Sequence, residues 1–324
     1  GPEHGVRGGH QAGDYVPYYI DKETGLPVYS LYGPTRKPTP EMLKNVDVLV
    51  FDIQDVGTRY YTYIYTMAYA MQAAAENNIP FIVLDRPNPI GGTKVQGPVL
   101  DPAYSSFVGM YPIALRHGMT VGELAKYFNK EFQIGADLTV VKMQGWTRSM
   151  SYQDTGLQFV MPSPNMPTVK TALVYPGMAL VEGTNVSEGR GTTRPFELIG
   201  APWIDAESLA DALNAKHLPG THFRPTYFTP TFSKYQGEMC AGIQVHVLNK
   251  QAFNPVITGL TVVKTIHDMY PDQFAFKASH FDHLIGNSWV REGIENGMSV
   301  SDMQERWQKG LKAFEKKRES YLLY

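Results

Sequence analysis

Val46-Asp47-Val48-Leu49-Val50-Phe51-Asp52-Ile53 is a short apolar run rich in β-branched residues, and its reading decides the fold class. Such a run is the pattern of a buried strand. It ends in Gln54-Asp55-Val56-Gly57, after which Tyr60 to Asn78 carries helical, Ala-rich spacing closed by Ile79-Pro80. Phe81-Ile82-Val83-Leu84-Asp85 then supplies a second buried strand. Strand, helix and strand with continuous apolar strands predict a βαβ unit, hence a parallel sheet with a right-handed crossover. A further helix fits Thr120 to Phe132, with Thr120 as N-cap and Glu123 at the capping-box position, and Leu138 to Met143 fits another strand. The expected fold class is therefore α/β, a Rossmann-like doubly wound parallel sheet with a second, smaller α+β domain.

From about Gly200 the texture changes. Asp205 to Lys216 is a short amphipathic helix, and Thr226 to Tyr235 is broken by prolines and aromatics. Ala241 to Leu248 alternates like a strand, Asn254 to Met269 is a helix opened by Pro255, and Ser301 to Tyr321 is a charged amphipathic helix. This shift places a domain boundary near residue 200, with a Rossmann-like domain over residues 1–200 and an α+β domain over residues 201–324.

Bulk composition narrows the function classes. The chain has 324 residues, 43% apolar and 19% charged, with a formal net charge of -2. That is an ordinary globular balance, without the positive field that nucleic acid requires. One cysteine, Cys240, excludes an internal disulfide framework and a cysteine-based zinc cage. No apolar run approaches the roughly 18 residues of a membrane span. The opening Gly1-Pro2-Glu3-His4-Gly5 has no Met and no signal peptide, and reads as the interior of a longer chain.

Polar residues gather where the two predicted strands end, at Asp52, Gln54 and Asp55, and at Asp85, Arg86 and Asn88. In open parallel sheets ligands bind outside the carboxyl ends of the strands, so these two ends point to a shared cleft. The other unusual segment runs Glu182-Gly183-Thr184-Asn185-Val186-Ser187-Glu188-Gly189-Arg190-Gly191-Thr192-Thr193-Arg194-Pro195-Phe196. It sets two carboxylates and two guanidiniums in a Gly-punctuated loop, where backbone can approach a ligand closely. Glycoside hydrolysis needs a carboxylic acid to protonate the leaving oxygen, and usually a second carboxylate. Glu3, Glu182, Glu188, Asp52, Asp55 and Asp85 are all candidates, and Arg190 or Arg194 could grip a substrate carboxylate. There is no P-loop, no dinucleotide fingerprint and no nucleophile elbow. His4, His10 and Asp14, or His280-Phe281-Asp282-His283, offer metal-ligand types without a recognised spacing, so no metal site is expected.

Four motifs together resemble the exo-β-N-acetylmuramidase family of NamZ type: Pro2-Glu3-His4-Gly5 with Arg7-Gly8; Phe51-Asp52-Ile53-Gln54-Asp55-Val56-Gly57 with Arg59, Tyr61, Thr62 and Tyr63; Leu84-Asp85-Arg86-Pro87-Asn88-Pro89; and Glu182-Gly183-Thr184-Asn185 with Ser187-Glu188-Gly189-Arg190-Gly191-Thr192. The closing Phe281-Asp282 and Tyr321-Leu322-Leu323-Tyr324 are similar to the family's C-terminus, so the likeness runs end to end. The resemblance implies release of terminal N-acetylmuramic acid from the non-reducing end of peptidoglycan fragments. It implies no cofactor, a bacterial source, an extracytoplasmic location and a further strand–helix unit ahead of the Pro2-Glu3-His4-Gly5 motif. It makes Glu3 the catalytic acid and Glu188 and Glu182 the second-carboxylate candidates. His4, Arg7, Asp52, Gln54, Asp55, Arg59, Tyr61, Asp85, Arg86, Asn88, Asn185, Arg190 and Arg194 become candidates for binding the saccharide. A non-catalytic muropeptide- or sugar-binding module on the same scaffold is the alternative, and a metal-dependent hydrolase or deacetylase a third.

Overall fold

The computed structural model describes residues 1–324 as a mixed α/β structure. It comprises two compact units. The first is Gly1–Lys94, Gly118–Pro167 and Glu315–Tyr324; the second is Val95–His117 and Thr168–Phe314. The chain therefore passes from one to the other at four points, rather than once near residue 200. A composition shift reports where texture changes along the chain, and it carries no information about a segment that returns.

In the first unit, β1 (Leu49–Phe51), β2 (Phe81–Leu84) and β3 (Leu138–Val141) form a parallel sheet in the order β1-β2-β3. The register pairs Phe51 with Val83 and Val83 with Val140. Helix α1 (Tyr63–Glu76) connects β1 to β2, and α2 (Val121–Glu131) precedes β3. Phe51, Phe81 and Val83 are buried with Ile64 and Met67 of α1 and Leu124 and Phe128 of α2, which is the core of this unit. Val50 and Val141 alternate with these positions and are 53% and 49% exposed, so one sheet face carries the core and the other is open. The capping box expected at α2 is present, with the Thr120 hydroxyl and the Glu123 carboxylate each accepting from the other residue's backbone N–H.

In the second unit, β4 (Leu198–Ala201), β5 (Thr221–Phe228) and β6 (Cys240–Val247) form an antiparallel sheet in the order β4-β6-β5. Helices α3 (Val169–Met178), α4 (Ala206–Asn214) and α5 (Pro255–Met269) belong to the same unit. So do α6 (Ala278–Ile285), α7 (Trp289–Glu295) and all but the end of α8 (Val300–Arg318). Helices α3 and α5 cross at glycine: a Cβ on Gly259 would lie 2.3 Å from the Gly177 carbonyl oxygen. No helix is long and apolar enough to cross a membrane.

Candidate functional site

Glu3 lies on a turn whose next two residues, His4 and Gly5, have φ of 70° and 75°. Glycine adopts this backbone freely, whereas a histidine in it is strained, and such strain persists where surrounding structure enforces it. The turn sets the Glu3 carboxyl, only 9% exposed, at the start of α1. There Thr62 donates its hydroxyl to Oε2 at 2.7 Å, and the Gly13 backbone N–H donates to Oε1 at 3.2 Å. The Tyr32 phenol is a third donor, its pKa raised by burial and then by the neighbouring Glu3 charge. A carboxyl has about four acceptor positions, so three donors leave one for a proton. His4 Nδ1 meets the His10 carbonyl at 2.7 Å; because a carbonyl only accepts, Nδ1 carries the hydrogen. The His4 ring stands edge-on to Tyr63, and Tyr63 edge-on to Tyr61. Tyr63 is in turn anchored by donating to the Pro162 carbonyl at 2.6 Å.

Unit 2 holds a second ionisable cluster. Arg190 Nη2 donates to Glu182 Oε1 at 2.6 Å, and Arg190 Nε lies 3.3 Å from Glu188 Oε1. Lys234 Nζ donates to Glu188 Oε2 at 2.9 Å and to the carbonyls of Val181, Glu182 and Val186 at 3.0, 3.3 and 2.8 Å. The Arg190 guanidinium also lies 5.1 Å from the centre of the Phe196 ring. Burial alone would raise the Glu182 pKa, but the Arg190 charge, followed by hydrogen bonds from His280 and Arg190, brings it down to about 2. Burial pushes the Lys234 pKa down, with the Glu188 charge opposing it. Glu182 is thus ionised at neutral pH, and Glu188 lies between two cations.

The loop reaches Lys234 because Gly191 packs directly on the 231–233 backbone. A Cβ at Gly191 would stand 2.6 Å from the Phe232 carbonyl oxygen, and the Gly191 carbonyl accepts from the Thr231 N–H at 2.9 Å. Seven non-glycine residues have positive φ, and three of them, Asn78, Gln133 and His217, follow the ends of α1, α2 and α4. The left-handed conformation is an ordinary way for a helix to stop. The other four are His4, Phe196, Ser233 and Tyr235, which adjoin Glu3, Glu197 and Lys234.

Several candidates from the sequence are engaged by the scaffold. Asp85 accepts from Thr120 Oγ1, the Gly122 N–H, the Arg86 N–H and the Tyr324 hydroxyl at 2.7, 2.8, 3.0 and 2.8 Å. Burial still raises its pKa against those donors. Asp55 caps the Gly57 N–H at 2.7 Å, and Gln54 donates to the Asp55 and Pro87 carbonyls. Asn88 bridges the Met119 carbonyl and the Ile90 N–H, and Asn185 bridges the Gln273 carbonyl and the Ala275 N–H. Arg59 is completely buried, which lowers its pKa to about 10, and Tyr61 is enclosed in the core. The two strand ends expected to share a ligand cleft thus present Asp55, Asp85 and Asn88 inward, as supports of the loops they begin.

Asp52 and Arg86 meet in an exposed ion pair at 2.6 Å, and Arg7 pairs with Asp21 at 2.7 Å. Arg190 is occupied by the two glutamates, so of the two loop arginines Arg194, with a 53% exposed side chain, is the one open to a ligand. No group of three or more His, Cys, Asp or Glu is arranged to hold a metal ion. Asp282 instead forms a two-point ion pair with Arg291, and His280 lies 3.8 Å from Glu182.

Lys234, Thr62 and Tyr32 were not among the candidates. Lys234 is a single lysine in an aromatic, proline-broken stretch, and only its place in the fold distinguishes it.

Residues 1–170 match the family model described as exo-beta-N-acetylmuramidase NamZ, N-terminal, and residues 173–324 match its C-terminal counterpart. The peptidoglycan beta-N-acetylmuramidase NamZ of Bacillus subtilis (strain 168) is 64% identical over 325 residues, covering 100% of this chain and 78% of the relative. Two crystal structures of DUF1343 family proteins from Bacteroides fragilis NCTC 9343 are similar as well. One has 44% identity and a TM-score of 0.89, the other 35% and 0.78, each covering 94% of this chain and 82% of its own.

Proposed function

Because the chain belongs to the exo-β-N-acetylmuramidase NamZ family, we propose that it is a glycosidase that releases terminal N-acetylmuramic acid from the non-reducing end of peptidoglycan fragments. The observation that carries this is the 64% identity, along the whole chain, to a peptidoglycan beta-N-acetylmuramidase. Glu3 is the general acid. What supports it is a carboxyl held by three donors on a strained turn at a helix start, with an acceptor position left for a proton. Glu182 at about 2 is unsuited to donate a proton at neutral pH, so it serves as an ionised carboxylate, with Glu188 beside it between Arg190 and Lys234. That role fits the positive charge which develops on the sugar ring in the transition state. The three parallel strands with α1 between the first two support reading unit 1 as Rossmann-like, with one sheet face left open at Val50 and Val141 rather than doubly wound. A wall-derived substrate supports an extracytoplasmic location.

The test is incubation with a chromogenic β-N-acetylmuramide beside the matching N-acetylglucosaminide. Cleavage of the muramide alone, or far faster, is expected. Saturable binding of either sugar without turnover would instead mark a sugar-binding module.

A further inference from the structure

A cavity of about 190 Å³ opens in unit 2 between α3 and β6, and no residue of the Glu182–Glu188 cluster lines it. That is below the roughly 300–1,000 Å³ of ordinary small-molecule sites, so it suits a substituent rather than a whole sugar. Val174 and Val245 give it an apolar wall, while Lys170, Arg194 and Lys250 face a single carboxylate, Glu197. Three cations against one anion leave an excess of two positive charges.

Glu197 is already satisfied, accepting the Thr171 hydroxyl at 3.0 Å and Arg194 Nη1 at 3.2 Å. Arg194 commits one N–H there and keeps most of a planar, five-donor fork. His246 also lines the cavity, and its Nε2 is enclosed without a hydrogen-bond partner. Burial, then the neighbouring His222 and Arg224, lowers the His246 pKa, so the ring is neutral at pH 7.

We propose that this cavity is a carboxylate-binding site, taking a carboxylate carried on a methyl-bearing carbon. The guanidinium fork pairs with two coplanar oxygens, and the valines accept the methyl group. Two sources present this chemistry: the lactyl ether of N-acetylmuramic acid and the C-terminal alanine of a short peptide. The first rests on the glycosidase reading above and the second does not.

Methyl resonances of Leu and Val in the full chain report occupancy without turnover, so failure here leaves the glycosidase reading standing. The probes are N-acetylmuramic acid against N-acetylglucosamine, and N-acetyl-alanyl-alanine against its C-terminal amide. Saturable shifts at Val174 and Val245 are expected with at least one acid and not with its uncharged counterpart. The pair that responds identifies the source. Arg194→Met should weaken that binding about tenfold or more. Lys170→Met, at an exposed position, should weaken it severalfold if the first variant folds poorly. Equal shifts with acid and neutral probes, no saturable shift with either acid, or binding unchanged in both variants would overturn the site.

Discussion

Lys234 places an ammonium where four oxygens surround it, three of them backbone carbonyls of the loop that carries Glu182 and Glu188. Replacing it with methionine keeps most of the packing and removes every one of those donors. Charge-assisted contacts of this kind carry about 3 kcal/mol when one partner is lost. Urea unfolding of Lys234→Met should show a loss of that size, with Lys234→Arg recovering part of it. A change below about 0.5 kcal/mol, the size of an ordinary surface effect, would mean the lysine is no clamp.

Glu182 adds a pH signature. Its folded pKa of about 2 lies below the ordinary 4.5, so its stabilisation is complete above 4.5 and is lost as pH falls through 2. Glu182→Gln should therefore flatten the acid side of the stability profile between those values, read from urea midpoints at descending pH. A variant profile parallel to the parent's would contradict the ion pair with Arg190. At this scale the sequence was informative where signals were local. Gly and Pro around Glu3 and along the 182–196 loop marked special backbone, and the positive φ of His4 and Gly191 bears that out. Partners from distant sequence, such as Lys234 for Glu188 or Tyr324 for Asp85, left no local trace.

Among the elements, α5 was readable because Asn254 and Pro255 announce its start, and Asn254 does accept from the Ile257 N–H. Helix α3 was not. It is buried on nearly every side and contains Pro176, so it shows neither an amphipathic stripe nor clean helical composition. Strand β5 was obscured by Pro225, which is tolerated because β5 is an edge strand of the order β4-β6-β5. The α3–α5 crossing makes a prediction of its own. A methyl group on Gly259 would collide with the Gly177 backbone, which cannot move aside as a side chain can. Gly259→Ala should cost about 3 kcal/mol, at the upper end for overpacking, and lower the melting temperature accordingly. An unchanged melting temperature would mean that the two helices do not meet at these residues.

For the molecule as a whole, the α/β class and the family were legible, but the path of the chain was not. Residues 315–324 belong to unit 1, where Tyr324 donates to Asp85, its oxygen accepts the Met143 N–H, and Glu123 accepts the Leu323 N–H. No periodicity in a C-terminal helix foretells that closure. Nor does composition separate a carboxylate that does chemistry from one that holds a loop: Glu3 and Asp85 are equally buried, and Asp85 differs in accepting from four donors of its own scaffold. On that difference Asp85 is a loop support, and Glu3 is the carboxylate we propose as the acid. The most direct test is Glu3→Gln on an unactivated β-1,4-linked N-acetylmuramyl saccharide, since an aryl leaving group departs with little protonation. Turnover should fall about 10²–10⁴-fold while saccharide binding stays within a few-fold of the parent; a variant that keeps even about a third of the parent rate would show that Glu3 is not the proton donor.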